Sequence, residues 1–293
     1  MPVISTAIDL LRTLRYISKL GLTEGFGNPF RGLQAPKDRP IYVLGNGPSL
    51  GDFINRLQTD YAQYENCEFF AVNDFVNDNV FDKIKPKYYA LSDPMFFIDT
   101  IYSKRGHGVI DALAQKVNWP ITLFIPIIFK RSDYLLPLRL NKNIRIVEMH
   151  RLGYTGLKSL RNWIFKKGLG NGEYGTVVLN AIYAALLCNF KTIYVHGIDH
   201  NFFDNIVVNQ DNVLCYRDSH FYETESQLRP MLKHYNGVGE KAQPFRVYEF
   251  LLEKTSIFQG HEIMSQFADT LGAKIVNCTP NSLVDSYSRC FEI

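Results

Sequence analysis

The 293-residue sequence has little tryptophan, with 2 residues, and almost no charge excess, since 32 Lys and Arg stand against 29 Asp and Glu. A net charge of +3 is small for a chain built to grip a phosphate backbone, so a nucleic-acid partner is not expected. Cysteine is scarce as well. Cys67, Cys188, Cys215, Cys278 and Cys290 are odd in number, scattered and without a C-x-x-C pair. Reduced thiols are expected, rather than a disulfide framework or a zinc site. No H-E-x-x-H unit or calcium loop is present, and Asp93 has no D-x-D partner, so no metal site is expected. No apolar run approaches the roughly 20 residues of a membrane span. The most apolar, 121–128, contains Pro126 and reads as a buried strand. The basic region and continuous apolar run of a signal peptide are also missing, so a cytoplasmic location is expected.

What the chain does have is aromatic side chains, 17 Tyr and 21 Phe, in a composition that is 46% hydrophobic. This suits a folded chain with an ample core. It leaves open whether the aromatics build core, a sugar or nucleotide pocket, or an interface. Residues 1–25 place Ile4, Ala7, Ile8, Leu11, Leu14 and Ile17 at helical spacing, with Arg12, Arg15 and Lys19 among them. Such a helix packs on its own domain or on another subunit of a homo-oligomer, or else rests peripherally on an anionic membrane at its inner face. The segment 157–167, with Lys158, Arg161, Trp163, Lys166 and Lys167, has the same character. Gly, Pro and charge crowd residues 25–39, which read as a linker, so residues 1–39 are expected to precede a main domain at 40–293.

From residue 40, short apolar runs alternate with helical periodicities. Segments 40–44, 67–72, 88–91, 121–125, 144–148, 192–195 and 274–277 read as strands, and 51–64, 107–117, 176–187, 244–254 and 259–271 as helices. Strands separated by helices predict an α/β sheet, with polar residues gathered just past the strand ends where such sheets bind ligands. Residues 201–240 are polar and aromatic with weak periodicity, so a lid-like insertion is expected there, with short helices left open.

The turn Gly45-Asn46-Gly47-Pro48-Ser49-Leu50 follows the first strand and opens a helix. Small residues admit a ligand close to the backbone, amides near a helix start can bind phosphate, and Asn46 and Ser49 can form selective hydrogen bonds. It is not a P-loop, because the Gly-Lys-Ser/Thr ending is missing. Nor is it G-x-G-x-x-G, because Leu50 takes the third glycine's place. By chemistry alone, a phosphate or nucleotide site and a structural turn both stand.

Further segments extend the pattern in chain order: Phe70-Ala71-Val72-Asn73, the helix led by Thr176, Tyr194-Val195-His196-Gly197-Ile198-Asp199, and Cys278-Thr279-Pro280-Asn281-Ser282-Leu283. With the opening turn, the ordered set across residues 40–285 resembles the GT-A-like bacterial sialyltransferases that use CMP-sugars, together with related polysaccharide-biosynthesis glycosyltransferases. The resemblance implies an α/β, GT-A-like nucleotide-binding domain with a mainly parallel central sheet and a C-terminal loop/helical insertion. It implies inverting transfer, with no metal or other cofactor required, of a sugar from a nucleotide-sugar donor. The donor expected is a CMP-linked acidic sugar such as sialic acid or Kdo, and the acceptor a carbohydrate, as glycan or glycolipid, in surface polysaccharide, capsule or lipopolysaccharide synthesis. It places Gly45, Asn46, Gly47, Ser49, Asn73 and Thr176 at the donor, with Asp199 and His200 on its sugar–phosphate side and Asn281 and Ser282 near the nucleotide. Asp93, just past the third strand, is counted with them. Tyr174 stands where some members of the family carry an arginine.

An inverting transfer needs a base at the acceptor hydroxyl, and histidine suits that task near neutral pH. His220, in Asp218-Ser219-His220-Phe221-Tyr222, is the first candidate and His234, in Lys233-His234-Tyr235-Asn236-Gly237, the second. Arg217, Arg229 and Lys233 could offset charge on a leaving phosphate. Tyr216, Phe221, Tyr222 and Tyr235 could form a sugar platform. Two other readings remain open at this level: a different nucleotide-dependent phosphotransferase or hydrolase, and a non-catalytic carbohydrate-binding or assembly subunit.

Overall fold

In Ile41-Tyr42-Val43-Leu44 every side chain is apolar or aromatic, and a strand of that kind needs cover on both faces. The computed structural model, which describes residues 2–36, 38–100, 102–172, 175–218, 227–233 and 243–291, provides it. The chain opens with α1 (Pro2–Thr23), then runs β1 (Ile41–Leu44), α2 (Leu50–Thr59), β2 (Glu68–Val72), α3 (Phe81–Ile84) and β3 (Tyr88–Ala90). Next come α4 (Ser103–Lys116), β4 (Ile121–Pro126), α5 (Leu136–Leu140), β5 (Ile144–Met149), α6 (Lys158–Lys166), α7 (Val177–Leu187) and β6 (Thr192–His196). The short strands β7 (Ile206–Val208), β8 (Leu214–Asp218) and β9 (Gln227–Pro230) lead to α8 (Val247–Thr270), β10 (Lys274–Asn277) and β11 (Ser288–Arg289).

Eight strands form one sheet in the order β11-β10-β6-β1-β2-β3-β4-β5, and every neighbouring pair is parallel. Ile41, Val43, Phe70, Val72, Ile193 and Val195 point into one core, shared with α7 and with Met264 and Phe267 of α8. Tyr42, Leu44, Phe69, Ala71 and Tyr89 point into the other, shared with Phe53 and Leu57 of α2 and Leu113 of α4. The period of two is thus satisfied on both faces, each buried large side chain contributing about 1.5–3 kcal/mol. Most of the aromatic excess is spent here, including Phe53, Phe70, Tyr89, Phe124 and Tyr183. This is the α/β class expected, with a mainly parallel central sheet and a C-terminal helical region.

Helix α1 answers the question its sequence left open by having two faces. Thr13, Tyr16 and Leu20 are buried against the domain. Tyr16 Oη donates to the Leu169 carbonyl at 2.7 Å, and Thr13 Oγ1 accepts from the Leu157 amide at 2.9 Å. Just beyond the helix, the Glu24 carboxylate meets His150 Nδ1 at 3.0 Å, both side chains buried. On the opposite face Leu11, Leu14 and Leu22 are 66%, 56% and 84% exposed.

Two segments differ from expectation. The helices expected at 244–254 and 259–271 are one 24-residue helix, α8, because Gly260 and His261 sit on its buried face and packing overrides the weak local propensity. Among its described residues, the insertion after β6 contains an antiparallel sheet, β7-β8-β9, which its weak periodicity did not indicate. Leu214 and Cys215 are its buried positions.

Candidate functional site

From β1 to β5 the strands are added in one direction, and the chain then returns to place β6 on the other side of β1. The loops leaving β1 and β6 therefore part to opposite sides, and in an open parallel sheet ligands bind in the crevice at such a switch point. Leu44 lies level with His196 in the register, so the turn after β1 and the Gly197-Ile198-Asp199-His200 turn after β6 start side by side. They interlock. Gly45 N donates to His196 O at 2.8 Å and Gly47 N to Gly197 O at 2.9 Å. A Cβ at Gly45 would collide with the Gly197 carbonyl oxygen, while Gly197 itself has φ +69°, so both glycines are required by geometry. Asp199 closes the clasp, accepting from Ser49 Oγ at 2.8 Å and Ser49 N at 3.3 Å.

This corrects one expectation about the turn. Leu50 N donates to Gly47 O and Gly51 N to Pro48 O, so the amides of Gly45, Gly47, Ser49, Leu50 and Gly51 are all engaged within the protein. The Asp199 carboxylate holds the amino terminus of α2, where an incoming phosphate was expected. Those five amides are not free to cradle an anion, and the turn they fix shapes the site.

The helix end that opens on the site is that of α7. A cavity of about 490 Å³ at the switch point is lined by Asn46, Gly47, Asn73, Thr176, Val177 and Val178 on one side. Asp199, His200, Phe202, Tyr216, Phe250 and Lys254 line the other. Its size falls within the range of about 300–1,000 Å³ usual for small-ligand sites. Thr176 is the N-cap residue of α7; among the described residues no side chain caps the helix, and its first turn holds no acid. The positive end of the helix dipole therefore lies at the cavity, which it shares with the Asp199 carboxylate. Lys254 adds a cation, with Nζ 4.7 Å from the Phe202 ring centre and 2.6 Å from Glu253 Oε1.

Asn73 stands at the end of β2 with φ +48°. Tyr89 Oη donates to its carbonyl at 2.6 Å and its Nδ2 donates to Asp93 at 3.4 Å, while its buried Oδ1 has no partner among the described residues. Asp93 supports Asn73 from outside the cavity lining.

His200 also has a positive φ, +51°, uncommon for a non-glycine residue. Its ring bonds across to α8. Its Nε2 lies 2.9 Å from His261 Nε2, and His261 Nδ1 lies 2.9 Å from Tyr287 Oη. Burial pushes His200 down to about 4, with Asp199 opposing that shift and Lys254 adding to it. His261, fully buried, is held well below the ordinary histidine value by burial and then by His200. Both rings are neutral at pH 7. His196 is different. It lies inside the strand end, stacked on Phe53 at 3.7 Å, with Nε2 unpartnered among the described residues, and burial followed by Arg56 lowers it to about 3.

No protein-family model matches the chain, and no curated protein matches it. Among solved structures it is similar to a MAf glycosyltransferase from Magnetospirillum magneticum AMB-1, with a TM-score of 0.45 and 14% identity over 88% of this chain. The match takes in 35% of that protein, so this chain spans about a third of its length.

Of the residues the sequence put at the donor, Asn46, Gly47, Asn73, Thr176, Asp199 and His200 line one cavity, while Gly45 and Ser49 brace it from behind. Asn281 and Ser282 do not line it. Ser282 is buried and its Oγ donates to Ile198 O at 2.6 Å, which fixes the β6 turn from below. Tyr216, one of the four aromatics considered for a sugar platform, also lines the cavity. Lys233 is paired with Glu249 at 2.7 Å and Arg217 is exposed. His220 and His234, with Tyr174, Phe221, Tyr222 and Tyr235, lie outside the described residues. Lys254, Phe250 and His261 were missed by the sequence reading. Their signal was a cation and a histidine recurring at helical spacing along Phe250, Lys254, Ile257 and His261. Among the described residues no group of three or more His, Cys, Asp or Glu side chains is placed to hold a metal ion.

Proposed function

We propose that the protein is a nucleotide-sugar-dependent glycosyltransferase that binds its donor in the switch-point cavity and passes the sugar to a carbohydrate hydroxyl with inversion. The observation that carries this reading is the amino terminus of α7 in one cavity with Lys254, Asn73 and the aromatic wall of Phe202 and Tyr216. A nucleotide sugar needs these features together: a positive electrostatic end for phosphate, an amide for a base or ribose, and aromatic faces for sugar C–H surfaces. In this account the helix dipole and Lys254 stabilise charge as the anomeric carbon–phosphate bond breaks. His220 or His234 takes the proton of the attacking hydroxyl. No residue set for a metal enters these steps. A CMP-linked acidic sugar, sialic acid or Kdo, is the donor class proposed, in surface polysaccharide or glycolipid synthesis.

A panel of CMP-, UDP- and GDP-sugars with glycan acceptors, read by product mass, tests the proposal. A glycan extended by one sugar supports it. Free nucleotide and sugar without extension would instead indicate a hydrolase or another transferase, and binding without turnover a carbohydrate-binding or assembly subunit. Lys254→Met should weaken CMP binding by roughly tenfold, as loss of one charge-assisted bond does. Retention of transfer by both His220→Ala and His234→Ala would remove these histidines from the base role.

The exposed stripe of Leu11, Leu14 and Leu22, flanked on α1 by Arg15 and Lys19, fits an anionic lipid surface through apolar insertion and charge complementarity. No described helix is long and apolar enough to cross a membrane, so the contact proposed is peripheral, at the inner face where a glycolipid acceptor resides. The paired change Leu11→Ser with Leu14→Ser should abolish co-sedimentation with phosphatidylglycerol vesicles. Unchanged sedimentation, or loss of a dimer instead, would assign the stripe to another partner.

A further inference from the structure

His200, His261 and Tyr287 come from three separate places in the chain: the β6 turn, the middle of α8, and the segment entering β11. Two bonds of 2.9 Å join them in a line. His261 is fully buried and Tyr287 is 6% exposed, so the line runs from the protein interior to the cavity wall and ends on His200. The second nitrogen of His200, Nδ1, makes no hydrogen bond among the described residues. A nitrogen-to-nitrogen contact works only if one ring donates and the other accepts. With both rings neutral, the line has two directions containing the same number of protons. In one, Tyr287 O–H donates to His261 Nδ1, His261 Nε2–H donates to His200 Nε2, and His200 carries its proton on Nδ1. In the other, His200 Nε2–H donates inward and Nδ1 is a lone pair.

The donor-site reading supplies the choice between them, and the present inference rests on that reading. The groups facing His200 are Asp199 on its own turn, and Lys254 and His261 on α8. An anion in the cavity would meet a repulsive lone pair in one direction and an N–H in the other. We propose that Tyr287, His261 and His200 form a directional hydrogen-bond relay that makes the neutral His200 ring an N–H donor to a phosphate oxygen bound in the switch-point cavity. His261 and Tyr287 are positioning residues. They let His200 take the Nδ1–H tautomer that the anion selects without giving it a charge, which a positively charged histidine would have to draw from acidic solution. The ring needs the φ of +51° at His200 to turn toward α8 while the turn continues past Asp199.

Ring-¹⁵N histidine spectra of the full chain near neutral pH read the tautomers directly, with CMP and, separately, pyrophosphate as probes. With either anion, His200 Nδ1 should read as N–H and Nε2 as an acceptor. Tyr287→Phe should weaken binding by about tenfold, the loss expected for one supporting bond to an anion site. His261→Leu should do the same. His261→Gln, whose carbonyl oxygen can accept from Tyr287 while its amide donates to His200, should restore most of the affinity. Circular dichroism of each variant separates these effects from misfolding. If pyrophosphate binds and CMP does not, the nucleotide-donor reading fails and the relay is still judged on the pyrophosphate spectrum. An Nε2–H or doubly protonated His200 in either complex overturns the relay. So does unchanged affinity in Tyr287→Phe, or the failure of both anions to engage Nδ1.

Discussion

Replacing Asp199 by Ala removes a carboxylate that accepts both Ser49 Oγ and Ser49 N. A hydrogen bond to a charged group contributes about 1.5–3 kcal/mol, and a carboxylate at a helix amino terminus about 0.3–1 kcal/mol more. The longer of the two bonds, at 3.3 Å, and the partial exposure of Asp199 favour the lower half of that range. The expected destabilisation is therefore about 2–3 kcal/mol. Asp199→Asn keeps an acceptor for one partner and turns the other bond around, with the amide donating to the hydroxyl, so it should cost only about 1 kcal/mol. The backbone bond from Leu283 N to Asp199 O is untouched by either change. Urea unfolding of Asp199→Ala, Ser49→Ala and the double variant measures the clasp as a coupling energy, expected at about 1–2 kcal/mol. A coupling within a few tenths of zero, or Asn worse than Ala, would show that the carboxylate does not hold the turn.

Three further outcomes follow from particular contacts. Gly45→Ala forces a methyl against the Gly197 carbonyl and should cost about 1–3 kcal/mol by overpacking in the same urea assay, with loss of CMP binding as the two turns part. His196 is lowered from 6.5 to about 3, so its unfolded form binds the proton first as pH falls. Its contribution is full above pH 6.5 and declines down to about pH 3, amounting to about 2 kcal/mol between pH 7 and pH 5. His196→Phe keeps the stack on Phe53 and should flatten the urea midpoint over that interval by this amount, while an unchanged slope would contradict the burial. Glu24→Ala leaves the buried His150 ring and the Arg151 amide without their acceptor and should cost about 3–5 kcal/mol. Early proteolysis within residues 24–40 would confirm that this pair pins the segment joining α1 to β1, and protease resistance equal to wild type would refute it.

The β1–turn–α2 unit and the Gly197-Ile198-Asp199 turn were legible because strand-end glycines and short polar residues report a local backbone requirement. The strands were legible because residues such as Ile41 and Val43 alternate with Tyr42 and Leu44 between two buried faces. The site's wiring was not. Whether the turn's amides are free depends on Asp199, 150 residues away from Ser49, and no local pattern records that distance. The His200–His261–Tyr287 line spans separations of 61 and 26 residues and exists only because α8 crosses behind the β6 turn. The same crossing explains why α8 reads as two helices in sequence: Gly260 interrupts the propensity, and only its burial shows why the helix continues. In the insertion, β7 is only three residues long and half-buried, so its alternation is too short to separate strand from loop.

In the proposed function donor phosphate meets the amino-terminal end of α7, in the cavity lined by Lys254 and His200. A crystal structure of the full chain with an intact CMP-sugar tests it most directly. The account predicts phosphate oxygens within hydrogen-bonding distance of the Val177 and Val178 amides and of His200 Nδ1, with the sugar turned toward Tyr216. A nucleotide bound with its phosphate on the Gly45–Leu50 turn, or outside the switch-point cavity altogether, would contradict it.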